Sequence, residues 1–303
     1  MNQSDLRQFP GFQEKVFQAG EAKLNYAIGP KNGPPLLLVH GLGRRWQVFH
    51  ELIPALSENW QIFAPDLRGH GRSTHVSRGY GGSQYANDIA AFLVECVKGP
   101  AVFLGHSLGG MIGLKIAVQH PEWIRALILG DSMLLSKGFH PDSMYPSLFA
   151  GLRDLAAQDL SLEEMADGLS RVELKVPGLK EKVCIGDLPG NDRAAMLRWA
   201  PCVMQADPDT YAMTLDGSSF EEWNGESLLA HVRCPTLLLQ ASPELGALMS
   251  DADVAAAKRL VPDVRHVRFP TLGHALYIQQ PEPILRAVNE FLDGIVDDLQ
   301  RRA

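Results

Sequence analysis

The run Gly105-His106-Ser107-Leu108-Gly109-Gly110 constrains this chain more than any other. An apolar stretch, 101–104, precedes it and reads as a fully buried strand, while 111–119 comes after it and reads as a helix. A chain that passes from buried strand to helix through one serine must turn sharply. The residues two before and two after that serine crowd the turn, so Gly105 and Gly109 are what its geometry requires. The same strain pushes the hydroxyl out above the sheet edge. It also leaves the Leu108 N–H at the helix start, where it could meet an oxyanion. Ser107 is therefore a candidate nucleophile.

Around this junction strand and helix signals alternate. Residues 23–28, 36–39, 62–64, 101–104 and 126–129 read as strands, with a helix over about 83–97. The pattern resumes at 235–239 and 264–269 and ends in an amphipathic helix over about 282–299, whose apolar stripe includes Ile284, Val288, Phe291, Leu292 and Ile295. Apolar strands alternating with helices predict an α/β fold, a mostly parallel sheet covered on both faces. Between 133 and 228 strand signals vanish. Ser161 and Glu164 form a capping box there, and Met196, Trp199, Ala200, Val203 and Met204 keep a helical period. The expected division is a core of 1–132 and 229–303 with an inserted helical cap, 133–228. Six methionines lie in the cap, at 133, 144, 165, 196, 204 and 213, and suit either an adaptable apolar pocket or simple packing.

Composition narrows the partners. A net charge of −7 and no long basic cluster argue against nucleic acid and anionic membranes. No run approaches membrane-spanning length, and the N-terminus lacks a signal-type apolar segment. Cys96, Cys184, Cys202 and Cys234 are scattered without metal-ligand spacing, which fits small buried residues in a reducing cytoplasm and no metal.

A serine hydroxyl needs a base, an orienting acid and an oxyanion hole. His274, in Thr271-Leu272-Gly273-His274 after the final strand, is the expected base. Glu244, in the loop after the strand at 236–240, is the expected acid. Asp131, at the carboxyl end of the strand after the nucleophile helix, is the alternative, and Asp251 and Asp253 are weaker ones. His40-Gly41-Leu42-Gly43 succeeds a buried strand, so the N–H groups of Leu42 and Leu108 would form a two-donor oxyanion hole. Arg44 and Arg45 could contact a substrate carboxylate or acyl group, or start a solvated helix. Trp46, Trp199 and Trp223 are candidate pocket walls that could equally be core.

Taken together, His40-Gly41-Leu42-Gly43, Asp66-Leu67-Arg68-Gly69-His70-Gly71-Arg72-Ser73, the Ser107 hexapeptide and Gly273-His274 resemble the α/β-hydrolase superfamily over roughly 20–131 and 229–295. The resemblance implies a Ser–His–acid triad, an acyl-enzyme and no cofactor. The implied activity is hydrolysis of a carboxylic ester or lactone of a small, mostly apolar molecule. A carbon–carbon (diketone) hydrolase with the same triad, or a non-catalytic receptor on this fold, remains open. One departure stands out. Relatives usually carry aspartate in a Gly-x-x-Asp loop where this chain has Ala241-Ser242-Pro243-Glu244, which keeps Asp131 in contention.

Overall fold

The computed structural model of this chain describes residues 5–77, 79–176 and 181–302. The chain opens with an antiparallel hairpin, β1 (Gln13–Ala19) and β2 (Ala22–Ile28), then forms β3 (Pro35–Val39), the short helix α1 (Ile53–Leu56) and β4 (Gln61–Pro65). Helix α2 (Gly82–Phe92), strand β5 (Ala101–His106), helix α3 (Leu108–Gln119) and strand β6 (Ile124–Gly130) come next. The sheet is completed much later by β9 (Thr236–Gln240) and β10 (Val264–Arg268), with α9 (Asp251–Leu260) between them. The short α10 (Leu276–Gln279) and the long α11 (Pro281–Arg302) end the chain.

These strands make one eight-stranded sheet in the order β1-β2-β4-β3-β5-β6-β9-β10. From β4 to β10 every neighbouring pair is parallel, and β2 runs antiparallel to both of its neighbours, β1 and β4. Parallel strands have both faces covered, so their residues divide between two cores. Leu37 and Val39 of β3, Phe103 of β5 and Leu127 of β6 join one core with Ile112 and Ile116 of α3. Leu36, Leu38, Val102, Leu104 and Ile128 point the other way, onto the Ile284–Val288–Phe291–Leu292 stripe of α11.

Between β6 and β9 lie α4 (Tyr145–Ala156), α5 (Leu162–Ser170), α6 (Arg193–Met204), α7 (Pro208–Leu215) and α8 (Gly225–His231). The capping box on α5 forms as the sequence predicts, with Ser161 accepting from the Glu164 N–H. This segment has a small core of its own, including Met165, Leu169, Met196, Ala200, Val203 and Tyr211. It is not wholly helical, because Glu173–Leu174 (β7) and Val183–Cys184 (β8) pair as an antiparallel ribbon. Two-residue strands are too short to show an alternating pattern. Strand β1 also escapes sequence reading: it is an edge strand, and most of its residues keep solvent contact, so no apolar alternation marks it. The helix expected over 83–97 ends at Phe92 and continues as a π-helical turn, Leu93–Val97, that closes on Lys98 at φ 61°.

Candidate active site

Strand β5 lies in the sheet between β3 and β6, so the loops after those two strands flank the residue just past its carboxyl end. That residue is Ser107, the cap of α3, at φ 55° and ψ −118°. A non-glycine residue rarely takes this conformation, and here neighbours hold it in place. The Ser107 N–H donates to the Gly130 carbonyl at 2.9 Å, while the Ser107 carbonyl accepts from Gly110 and Met111. The tightness of the turn explains its two glycines. A Cβ at Gly105 would lie 2.3 Å from the Gly109 carbonyl oxygen, and one at Gly109 would lie 2.1 Å from that of Val39.

The loop after β3 passes directly over the serine, since a Cβ on Gly41 would sit 3.0 Å from Ser107 Cβ. Its conformation is set by His40, which is fully buried. The His40 Nδ1–H donates to the Gly41 carbonyl at 2.8 Å, and its Nε2 accepts from the Leu67 N–H at 3.0 Å. Burial holds this imidazole neutral, well below the usual histidine range. In a trans peptide the C=O and the next N–H point in opposite directions. With the Gly41 carbonyl turned to His40 and to the Arg44 N–H, the Leu42 N–H is turned away from them. Leu108 opens α3, so its N–H stands outside the helical ladder. Leu42 and Leu108 line the same cavity as Ser107.

His274 lies beyond β10 and lines the second lobe of that cavity together with Ser107. Its Nδ1 donates to Asp131 Oδ2 at 2.6 Å. Asp131 sits just after β6 at φ 40°, and its side chain has no solvent exposure. The Leu248 N–H donates to Oδ2 at 2.9 Å, and the N–H groups of Met249 and Ala241 donate to Oδ1 at 3.2 and 3.3 Å. Such a ring of donors fixes the orientation of the carboxylate. The His274 loop is held from below by His106, whose Nε2–H donates to the His274 carbonyl at 2.8 Å, the two rings lying 4.6 Å apart. Tyr145, at the start of α4, covers the other side edge-on, 5.7 Å from the His274 ring.

Glu244 does not meet His274, which corrects the expectation drawn from its loop position. It lies on an exposed 3₁₀ turn, Pro243–Leu245, and its carboxylate accepts from the Ser242 hydroxyl, which holds it below the usual range. The loop after β9 thus supplies backbone donors to Asp131 where its carboxylate was expected. Asp251 is bound elsewhere, to Gln240, and Asp253, in the first turn of α9, completes a capping box with Ser250. Two of the three tryptophans are also corrected. Trp46 is fully buried, packed beside Phe9, with its Nε1–H donating to Glu14. Trp223 is buried with its Nε1–H on the Leu134 carbonyl. Both fill core space that their size makes valuable. Trp199 does wall the second lobe, and of the six cap methionines Met133 alone is in the described lining.

The two lobes share Leu42, Ser107 and Phe149. No group of three or more metal-ligating side chains occurs among the described residues. Among them, too, no helix is long and apolar enough to cross a membrane.

Comparison with known proteins agrees with this architecture. The family profile described as "alpha/beta hydrolase fold" matches residues 34–281. The chain belongs to the α/β-hydrolase family. A 2-(acetamidomethylene)succinate hydrolase of Mesorhizobium japonicum is 26% identical over 268 residues, covering 87% of this chain and 89% of that protein. A pimeloyl-[acyl-carrier protein] methyl ester esterase of Aeromonas hydrophila is 24% identical over 263 residues, covering 86% of this chain and 96% of that protein. Among solved structures, an enol-lactonase from Burkholderia xenovorans superposes with a TM-score of 0.72 at 18% identity, over 92% of this chain and all of that one; this last is a likeness of fold alone. As a member of this family the chain is a hydrolase of small molecules.

Proposed function

We propose that this α/β-hydrolase cleaves a carboxylic ester or lactone through an acyl-enzyme on Ser107, with His274 as base and Asp131 as orienting acid. The observation that carries this reading is the Asp131–His274 pair, on a wall of the cavity into which Ser107 turns. An imidazole that donates Nδ1–H to a buried carboxylate keeps the Nε2 lone pair for the serine proton. His274 removes that proton as the Ser107 oxygen attacks the carbonyl, and the Leu42 and Leu108 N–H groups receive the oxyanion. The imidazolium, stabilised by Asp131, then protonates the leaving alkoxide. Water repeats the sequence to release the acid. Residues 133–228 act as the cap that keeps bulk water from this chemistry. The methyl ester esterase of Aeromonas hydrophila, a relative of this chain, supports the same bond class.

The test is hydrolysis of a panel of esters and lactones by the wild type beside Ser107→Ala, with the products identified. Acid and alcohol formation that disappears in the variant supports the reading. Turnover surviving in Ser107→Ala, or fragments that are both carbonyl compounds from a diketone with esters untouched, would overturn it.

A further inference from the structure

The two lobes on either side of Ser107 differ in chemistry. The first is walled by residues such as Met111, Met133, Phe139, Phe220 and Leu248 and holds no charged side chain. The second is also largely apolar, with Val48, Leu148 and Ile278, but Arg44 enters it. Its guanidinium lies over the Trp199 ring, 4.2 Å from the centroid. No ion pair to Arg44 occurs among the described residues; its polar neighbours are the Cys202 thiol, within hydrogen-bond reach, the Tyr211 phenol and the imidazoles of His40 and His106, none of them a carboxylate. Burial lowers the guanidinium from its ordinary value.

A cation partly removed from water without a counter-ion, as half-buried Arg44 is, is costly, and buried charges are ordinarily paired. Trp199 Nε1, on the same wall, is buried with no hydrogen-bond partner, and so is the hydroxyl of Tyr211. Tyr211 borders the same loop, for a Cβ on Gly43 would lie 2.4 Å from its hydroxyl. Arg44 and Trp199 bring only donors to this lobe. An indole N–H can only donate, and a guanidinium offers five donors and no acceptor.

We infer that the Arg44 lobe is a carboxylate subsite, so that the substrate has one apolar arm and one arm ending in a carboxylate, with the scissile carbonyl between them at Ser107. This deepens the hydrolase reading and rests on it. A planar guanidinium matches the two oxygens of a carboxylate in a fork, and Trp199 beneath it fixes the plane. One cation between apolar walls balances a single negative charge. A phosphate dianion would bring a second charge that no side chain of this lobe compensates. Arg44 is then a specificity-determining residue and takes no part in bond cleavage.

Binding tests the subsite without reference to turnover. Calorimetric titration of the whole chain with 4-phenylbutyrate and with its uncharged analogue 4-phenylbutanamide reads the preference directly. The acid should bind the wild type at least about 10-fold more tightly, the scale of a desolvated charge pair. Arg44→Met should bring the ratio of the two Kd values to about one, and Arg44→Lys, which keeps the charge but loses the fork, should fall between. Equal affinities in the wild type, no binding of the acid at millimolar concentration, or a preference untouched in Arg44→Met would each overturn the proposal. The wild-type comparison decides the matter even if Arg44→Met does not fold. In that case an intermediate preference in Arg44→Lys places it at Arg44. An acid preference without Ser107-dependent turnover would defeat the hydrolase reading alone. Ser107-dependent cleavage of esters with no acid preference would defeat the subsite alone.

Discussion

The His274 Nδ1 stands 2.6 Å from Asp131 Oδ2 although the two residues are 143 positions apart in the chain. The fold brings them together because β6 and β10 flank β9, so the loops that leave their carboxyl ends meet above it. The loop after β9 runs between them and closes around the carboxylate with three N–H groups.

That geometry ranks the two candidate acids. Asp131→Asn should lower kcat by roughly 10⁴, the scale seen when a triad acid is neutralised and the imidazole takes the wrong tautomer. Glu244→Gln, on an exposed turn, should stay within about twofold, as surface substitutions away from a site generally do. Steady-state kinetics on one ester with both variants checks this, and the reverse ranking contradicts it.

The elbow tolerates no side chain at its glycines. A Cβ on Gly109 meets backbone oxygen of β3 at 2.1 Å, and a backbone strand cannot swing aside as a flexible side chain can. Gly109→Ala should therefore cost about 3 kcal/mol, the upper range for overpacked cores. The urea midpoint of the variant against the wild type measures it.

Acid should destabilise the protein through its buried histidines. Burial lowers the His70 imidazole to about 4, and lowers His40 and His106 well below their ordinary value. A histidine whose folded pKa is depressed binds fewer protons in the folded state than in the unfolded chain between the two pKa values. Stability is therefore full above about 6.5 and is lost as pH falls from there toward 4. His70 alone accounts for about 2 kcal/mol at pH 5. Asp66 works the other way. Burial raises its carboxyl to about 6, so protonation on the way to pH 5 returns about 1 kcal/mol. Burial also lowers His266 and raises Asp88, so four histidines stand against two carboxyls and the net should be a fall. Unfolding in urea at pH 7 and at pH 5 checks the sign, and a more stable protein at pH 5 contradicts it.

Tyr145 links the cap to the base. Its hydroxyl donates to the Gly246 carbonyl, beside the loop that holds Asp131, and its ring packs edge-on to His274. Tyr145→Phe should cost about 1 kcal/mol of stability, the worth of one buried hydrogen bond. Tyr145→Ala should also lower kcat, by about tenfold, because the imidazole loses one of its walls. Thermal unfolding and kinetics on the pair separate the two effects.

Much of the fold and the elbow is legible in the chain because it is written locally. Glycines two before and two after Ser107, and a buried strand and a helix on either side, mark the elbow within a dozen residues, and Gly273-His274 closes the last strand loop. The acid is not legible, since its identity depends on how a long loop folds between two strands. Ala241-Ser242-Pro243-Glu244 presents a carboxylate in the expected place, but Pro243 starts a turn that carries Glu244 outward. A signal for Asp131 does exist, namely aspartate immediately after a buried strand. Its positive φ, which aspartate tolerates better than most residues, emerges only in three dimensions. Trp46 and Trp223 mislead for a related reason. Motif proximity and cap membership place a tryptophan near a site, but only the fold decides whether its ring faces the cavity. Arg44 stands in the sequence as one of two adjacent arginines, and nothing local separates them. In the structure Arg44 stacks on Trp199, while Arg45 reaches Gln205.

Covalent trapping tests the central claim most directly. Diethyl p-nitrophenyl phosphate phosphorylates a serine that an adjacent base activates, releasing one p-nitrophenol for each serine modified. The account predicts one equivalent of p-nitrophenol, the added mass on the peptide containing Ser107, no reaction in Ser107→Ala and a much slower one in Asp131→Asn. A protein that stays unlabelled, or carries the label on another residue, would contradict it.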